Sequence, residues 1–134
     1  MKILIAEDDR VSRLFMEKFM TVYGECDVAV DGMEALDIFM EAFKKGEPYN
    51  LVCLDVMMPK ADGVKVLKVI RAMEKQYKVP QERRARIIMI TALADRAYVD
   101  KAFEIGCDAY ASKPVDTAKV EDVLRKLGLL PDKY

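Results

Sequence analysis

The sequence predicts a doubly wound α/β fold, in which five parallel strands form one sheet with helices on both of its faces. Two observations predict it. Short runs rich in Ile, Leu and Val recur along the chain, and amphipathic stretches at helical spacing separate them. Strands that alternate with helices in this way are joined by crossover connections, which favours a parallel sheet over an antiparallel one.

Five runs are predicted to be strands, at residues 2–6, 26–30, 51–54, 86–90 and 109–111. The first, third and fourth are apolar enough to lie in the centre of the sheet, because a central parallel strand is covered on both faces. The last is short and more polar, which suits an edge. The expected strand order is 2-1-3-4-5, that of flavodoxin-like folds, with five helices.

Each stretch between the strands carries an apolar stripe at spacings of three and four residues. A glycine behind the first, fourth and fifth stripes, at Gly24, Gly106 and Gly128, is typical of a helix end. Asp116 and Thr117 are alternative caps for the fifth helix. The stripes consist of Val11, Leu14, Phe15, Phe19 and Val22; Leu36, Phe39, Met40 and Phe43; Leu67, Ile70 and Met73; Ala102, Phe103 and Ile105; and Val120, Val123, Leu124 and Leu127.

The composition excludes several classes of function. The chain has 134 residues, a net charge of −1 and no histidine. The length suits a single domain at 1–134. The balanced charge argues against direct binding of nucleic acid. Without histidine there can be no Ser-His or Cys-His pair, no imidazole metal ligand and no phosphohistidine on this chain. Three separated cysteines and a short apolar start predict a reduced, cytoplasmic protein with no signal peptide and no membrane segment.

Polar residues follow four of the predicted strands. Glu7 and Asp8 come after the first strand, Asp55 after the third, Thr91 after the fourth and Lys113 after the fifth. These strand ends share one edge of a parallel sheet, so we expect the side chains to converge. Two carboxylates about 4 Å apart repel by roughly 4 kcal/mol at an effective dielectric constant of 20. Oxygen ligands with this excess of negative charge favour Mg²⁺.

Four segments in this order carry a family resemblance: ILIAEDD at 3–9, DVMMPKADG at 55–63, ITA at 90–92 and YASKP at 110–114. The chain resembles the receiver domain of two-component response regulators, of the stand-alone, chemotaxis-regulator-like type, over essentially its whole length. The resemblance implies that Asp55 accepts a phosphoryl group from a phosphohistidine on a partner protein. It also implies a metal site, with Mg²⁺ as the ion and Mn²⁺ as an alternative.

The resemblance assigns further roles in this site. Asp8 and Asp55 are expected to ligate the metal directly, Glu7 through water, and Met57 through its backbone carbonyl. The Lys113 ammonium, the Thr91 hydroxyl and the Ala92 amide are expected to contact the phosphoryl group, so that Lys113 and Thr91 assist the transfer. Tyr110 is expected to act with Thr91 as a switch. In this family the bond between Lys113 and Pro114 is often cis.

Two positions that tune dephosphorylation in the family are apolar here, Met57 and Leu93. Neither side chain can orient an attacking water, so we predict a long-lived phosphoryl group. A second unusual feature is the stretch 71–86, which carries six cationic residues against two glutamates. It is interpreted either as a solvated helix extension with a loop or as a docking surface for an acidic partner.

These features together predict a phosphorylation-activated signalling switch, a regulatory domain and not an enzyme. An alternative is a phosphorelay intermediate that passes the phosphoryl group to a histidine phosphotransfer protein. The expected partners are a sensor histidine kinase or phosphotransfer protein, and an output protein that binds the face of the fourth helix, fifth strand and fifth helix. Residues 128–134 are expected to be a short tail with no output domain, and the protein a monomer or weak dimer.

Overall fold

The sheet of this protein is parallel throughout. A computed structural model describes residues 1–58, 60–92 and 96–131, with the backbone alone at residue 96. Its strands run in the order β2-β1-β3-β4-β5, which confirms the predicted topology. The strands are β1 (Lys2–Ala6), β2 (Glu25–Ala29), β3 (Leu51–Leu54), β4 (Arg86–Thr91) and β5 (Ala109–Ser112). Each predicted strand is therefore present, with its ends displaced by at most one residue.

Helices alternate with these strands as predicted. Within the described residues the α-helices are α1 (Arg10–Met20), α2 (Gly32–Lys44), α3 (Gly63–Gln76), α4 (Arg96–Ile105) and α5 (Thr117–Lys126). Aspartates cap the first, second, third and fifth helices by accepting a backbone hydrogen bond, and at α5 the cap is Asp116 and not Thr117. Such caps satisfy N–H groups that have no partner inside the helix. The part of the chain that the structure describes has no helix both long and apolar enough to span a bilayer.

Alternation along the strands builds two core layers. On one face, β-strand residues such as Leu54 and Met89 pack with Leu67 and Ile70 of α3. On the other face, strand residues such as Ile5 and Ile88 pack with α1 and α5. Successive side chains of a strand point to opposite faces, so both layers come from the same five strands. The apolar character of the central strands follows from this burial on both sides.

The apolar stripe predicted on α1 is only partly buried. Met16 and Met20 are the buried residues of this helix, and Phe19 packs against them at the margin of the core. Val11 is 75% exposed, and Leu14 is also exposed. The predicted stripe therefore does not mark the buried face, because two apolar arcs share this helix and spacing alone does not show which arc meets the sheet.

The stretch 71–86 is more regular than the sequence suggested. Helix α3 continues to Gln76, and a single 3-10 turn, Gln81–Arg83, precedes β4. The helix extension with a loop, one of the two interpretations, therefore describes its backbone. Lys78 has a positive φ of 53°, an uncommon conformation for a residue other than glycine, where the chain leaves the helix.

Candidate functional site

The carboxyl edge of the sheet gathers three carboxylates. One oxygen from each of Glu7, Asp8 and Asp55 lies within 4.8 Å of the others. Glu7 and Asp55 are buried, whereas Asp8 is exposed to solvent. The arrangement follows from the fold, because β1 and β3 are neighbours and end side by side. Three negative groups this close repel one another unless a cation lies among them.

Asp55 is held rigidly at the end of β3. Its backbone N–H donates to the Ala6 carbonyl at 3.0 Å, which continues the ladder one residue past the strand. The residue is 6% exposed. One carboxylate oxygen, Oδ1, accepts a hydrogen bond from the Met57 backbone N–H at 3.2 Å. The other, Oδ2, accepts one from Lys113 Nζ, also at 3.2 Å.

Lys113 is the cation that enters this cluster. Its ammonium pairs with Glu7 as well as with Asp55. Burial opposes the charged ammonium, but the hydrogen bond to Glu7 and the two nearby carboxylates outweigh it and raise the pKa of Lys113. The bond between Lys113 and Pro114 is cis. The Lys113 backbone N–H donates to the Thr91 carbonyl at 2.9 Å, so β4 and β5 together position the ammonium.

Glu7 titrates abnormally because of this environment. Burial and the adjacent Asp55 carboxylate raise the pKa of Glu7 to about 7, although Lys113 acts in the opposite direction. Glu7 therefore changes charge in the physiological range, where an ordinary carboxyl group is fully ionised. A single lysine does not neutralise three carboxylates, so the site as a whole favours an added cation.

Arg13 holds the backbone of Glu7 and Asp8 through hydrogen bonds that the sequence did not predict. Arg13 of α1 donates from Nη1 to the carbonyl of Glu7 at 3.1 Å and to that of Asp8 at 3.3 Å. Asp9, besides capping α1, donates its backbone N–H to Glu7 Oε2 at 3.3 Å. The only signal in the sequence was a basic residue in the first turn of the helix after β1, which is too common to single out.

Glycine is required at the far side of the site. A Cβ built on Gly63 would lie 2.3 Å from the backbone oxygen of Asp55. Real side chains do not tolerate that distance, so this close approach demands glycine. The Gly63 N–H also donates to the Val56 carbonyl at 3.0 Å. The loop that leaves Asp55 is thereby closed directly against the start of α3.

The remaining predicted residues lie around this cluster. Thr91 ends β4 and is fully buried, and Ala92 follows it at the surface. Thr91 pairs in register with Ser112, and Met89 pairs with Tyr110. Because strand side chains alternate, Thr91 and Tyr110 belong to the same face of the sheet. Tyr110 is half-buried against the core layer on that face.

The two positions expected to tune dephosphorylation are Met57 and Leu93. Met57 is 63% exposed beside Asp55. Leu93 lies outside the described residues. The structure therefore brings Glu7, Asp8, Asp55 and Lys113 together and places Thr91 at the same sheet edge.

Comparison with known proteins identifies the family to which the chain belongs. The family model of the response regulator receiver domain matches residues 3–125. The chain belongs to this family. It is a receiver domain of two-component signalling systems, which confirms the predicted family, fold and general function. Receiver domains bind Mg²⁺ in an acidic pocket, and the cluster of Glu7, Asp8 and Asp55 lies at the corresponding edge of the sheet.

Curated relatives are larger proteins that contain such a domain. The receiver is 34% identical over 125 residues to the osmosensing histidine protein kinase SLN1 of Saccharomyces cerevisiae, covering 92% of this chain and 10% of the kinase. Across eight curated relatives, the chain spans between 7% and 50% of the relative's own length. The likeness therefore concerns the receiver domain and not the activities of those whole proteins.

Solved structures share the whole fold. A chain of the CheX–CheY–BeF3–Mg²⁺ complex from Borrelia burgdorferi superposes with a TM-score of 0.81 at 29% identity, covering 95% of this receiver and 88% of that chain. A chain of the Saccharomyces cerevisiae complex between the phosphotransfer protein Ypd1 and the receiver domain of Ssk1 gives a TM-score of 0.78 at 26% identity. It covers 99% of this receiver and 94% of that chain.

Proposed function

We propose that Asp55 accepts a phosphoryl group from a phosphohistidine on a partner protein, and that the phosphorylated receiver changes its partner binding. The observation that carries this proposal is the position of Asp55. It is a buried carboxylate at the carboxyl edge of a parallel sheet, in contact with Lys113 and clustered with two further carboxylates. In the transfer, an Asp55 oxygen forms a bond to phosphorus while the phosphorus–nitrogen bond breaks and its electron pair stays on the imidazole.

The same residues fit a divalent metal ion. Asp8 and Asp55 offer carboxylate oxygens, Met57 offers its backbone carbonyl, and Glu7 would contribute through a water molecule. A donor set made only of oxygen favours Mg²⁺, with Mn²⁺ as the alternative. When bound, the ion supplies positive charge next to the phosphoryl oxygens. Lys113, which donates to Asp55 Oδ2, would add a second positive charge beside a phosphoryl group on Asp55.

Thr91 and Tyr110 connect the site with a surface in this proposal. The Thr91 hydroxyl and the Ala92 amide would donate to the phosphoryl group. Movement of Thr91 toward the group would open space on the face that it shares with Tyr110. A rotation of Tyr110 would then change the groove of about 440 Å³ between β5 and α5, which Tyr110, Val120 and Val123 help to line. We propose this groove as part of the surface that an output protein binds.

The donor would be a sensor histidine kinase or a histidine phosphotransfer protein. The second alternative, a phosphorelay intermediate, is favoured by one observation: the likeness to a chain of the Ypd1–Ssk1 complex covers 99% of this receiver. In both versions the chain is a regulatory acceptor, and the partner provides the phosphohistidine that this histidine-free sequence lacks.

The direct test is phosphorylation with a small phosphodonor and Mg²⁺, followed by intact-mass spectrometry. We expect a single phosphoryl adduct that is stable in acid and labile in base, and that is absent from Asp55→Asn. Asp62→Asn is the matched control, because Asp62 is a neighbouring exposed aspartate that only caps α3. This variant should still form the adduct. An adduct on Asp55→Asn, or none on the unchanged protein, would contradict the proposal.

The lifetime of that adduct tests the predicted slow hydrolysis. The Met57 side chain is exposed beside Asp55 but has no group that can orient water. We expect the double variant Met57→Asn with Leu93→Glu to lose its phosphoryl group faster than the unchanged protein. Met33→Asn, at an exposed methionine of α2, is the control and should leave the rate unchanged. An unaltered rate in the double variant would refute the explanation.

A further inference from the structure

A cavity of about 380 Å³ lies at the amino edge of the sheet. The second half of α3, the segment before β4, the first residue of β4 and the loop between α4 and β5 surround it. Five charged residues line it: Arg71, Lys75, Arg84, Arg86 and Asp108. Arg86, the first residue of β4, lines the cavity, and Thr91 is the last residue of that strand, about 16 Å away at roughly 3.3 Å per residue. The cavity is thus remote from Asp55.

On one wall of the cavity, Arg71, Glu74 and Asp108 form a network of hydrogen bonds. Arg71 donates from Nη2 to Asp108 at 2.9 Å, from Nη1 to Glu74 at 2.5 Å and from Nε to the Gly106 carbonyl at 2.9 Å. Asp108 also accepts from the Ile87 N–H at 2.8 Å, and Glu74 accepts from the Ala85 N–H at 2.8 Å. Arg71, Glu74 and Asp108 together carry a net charge of −1, which offsets only part of the charge of the other three cations around the cavity.

The other three cations have no carboxylate partner among the described residues. Lys75, Arg84 and Arg86 form no ion pair with any residue that the structure describes. The Arg84 Nε donates to the Val79 carbonyl at 3.1 Å. Even with the buried Glu74 counted, cations outnumber carboxylates two to one around the cavity. Like charges that converge in one cavity repel, and an anion between them removes that repulsion.

We propose that this cavity binds a small anion with at least two negative charges, of the kind carried by a diphosphate or triphosphate group. Planar guanidinium groups match phosphate oxygens in a bidentate fashion, and the lysine ammonium adds a mobile point charge. The volume falls in the range of small-molecule sites. A concave site of this size favours a compact ligand over the flat surface of an acidic protein. The site is independent of the function proposed for Asp55.

Calorimetric titration with sodium pyrophosphate, in EDTA and without Mg²⁺, tests the proposal. We expect saturable one-to-one binding to the unchanged protein. The double variant Lys75→Gln with Arg86→Gln should bind at least about tenfold more weakly, because two charged hydrogen-bond donors are lost. Lys68→Gln, which removes one positive charge as Lys75→Gln alone does, is the control on an exposed residue of α3 outside the cavity, and should bind as the unchanged protein does. Asp55→Asn should also bind normally.

Four outcomes would overturn the proposal. They are no saturable binding at millimolar pyrophosphate, equal weakening by Lys68→Gln, loss of binding in Asp55→Asn, and tighter binding of a polyglutamate peptide than of pyrophosphate. The last would identify a docking surface for an acidic protein instead. If the double variant does not fold, Lys75→Gln alone serves, since Lys75 is an exposed helix residue with no ion pair to the described part of the chain.

Discussion

The two edges of the sheet differ in the charge that surrounds their carboxylates. At the carboxyl edge, Glu7 and Asp55 are buried beside Asp8 and share one lysine, so negative charge is in excess. At the amino edge, Glu74 and Asp108 likewise share one cation, Arg71, and each accepts a backbone N–H, but three further cations line the neighbouring cavity. A buried charge is tolerated when opposite charges and hydrogen-bond donors surround it, and it is destabilising among like charges. The second arrangement is structural, whereas the first is ready for an added cation.

The largest expected effect is at the amino edge, from Glu74→Ala. This change leaves the Ala85 N–H without its acceptor and Arg71 without a buried partner. We expect the free energy of unfolding to fall by about 3 kcal/mol, the scale for breaking a buried ion pair. Denaturant titration followed by circular dichroism measures it. Glu82→Ala, at an exposed glutamate of the 3-10 turn, should change stability by less than about 0.5 kcal/mol. Similar small values for both variants would show that the network contributes little.

An intermediate effect is expected at the carboxyl edge, from pH. The pKa of Glu7 in the folded protein, about 7, lies above its ordinary value of 4.5. The folded state therefore retains a proton on Glu7 between these values, and its contribution to stability is lost as the pH rises through 7. If bound Mg²⁺ requires ionised Glu7, its affinity should rise about tenfold from about pH 6 to about pH 8.

Calorimetric titration of Mg²⁺ at several pH values checks this dependence. In Glu7→Gln the group that titrates near neutrality is removed, so the affinity should be lower and nearly independent of pH. A flat profile in the unchanged protein would show that Glu7 stays ionised throughout, and would contradict the raised pKa of this carboxyl group.

The smallest expected effects are changes in stability of opposite sign, from Asp55→Asn and Asp108→Asn. Without Mg²⁺ and above the pKa of Glu7, Asp55→Asn removes one of three clustered negative charges, so we expect about 1 kcal/mol of added stability. The asparagine oxygen can still accept from the Met57 N–H. Asp108→Asn removes a carboxylate that is paired with Arg71, and should cost about 1 kcal/mol instead. Thermal melts of both variants, recorded side by side, measure the difference. Changes in stability of the same sign would show that the two edges do not differ in the charge around their carboxylates.

Much of the fold and part of the candidate site could be predicted from local patterns. Each strand lies within one residue of its predicted position because apolar runs between polar residues mark where a strand is covered on both faces. Glu7, Asp55 and Lys113 meet because all three follow strands of one parallel sheet. The exposed arc of α1 was not predicted, since periodicity describes a helix and not the neighbour that covers it.

By itself, the sequence determined the alternation of strands and helices, the residues at the strand ends and the family, because these depend on local spacing and short motifs. Only the tertiary structure decided the contacts between distant segments. Arg71 reaches Gly106 and Asp108, residues 35 and 37 positions away, and Lys113 reaches Glu7 across 106 positions. Which cations keep a carboxylate and which stay unpaired depends on these long-range contacts, because charge pairing follows distance in space and not order along the chain.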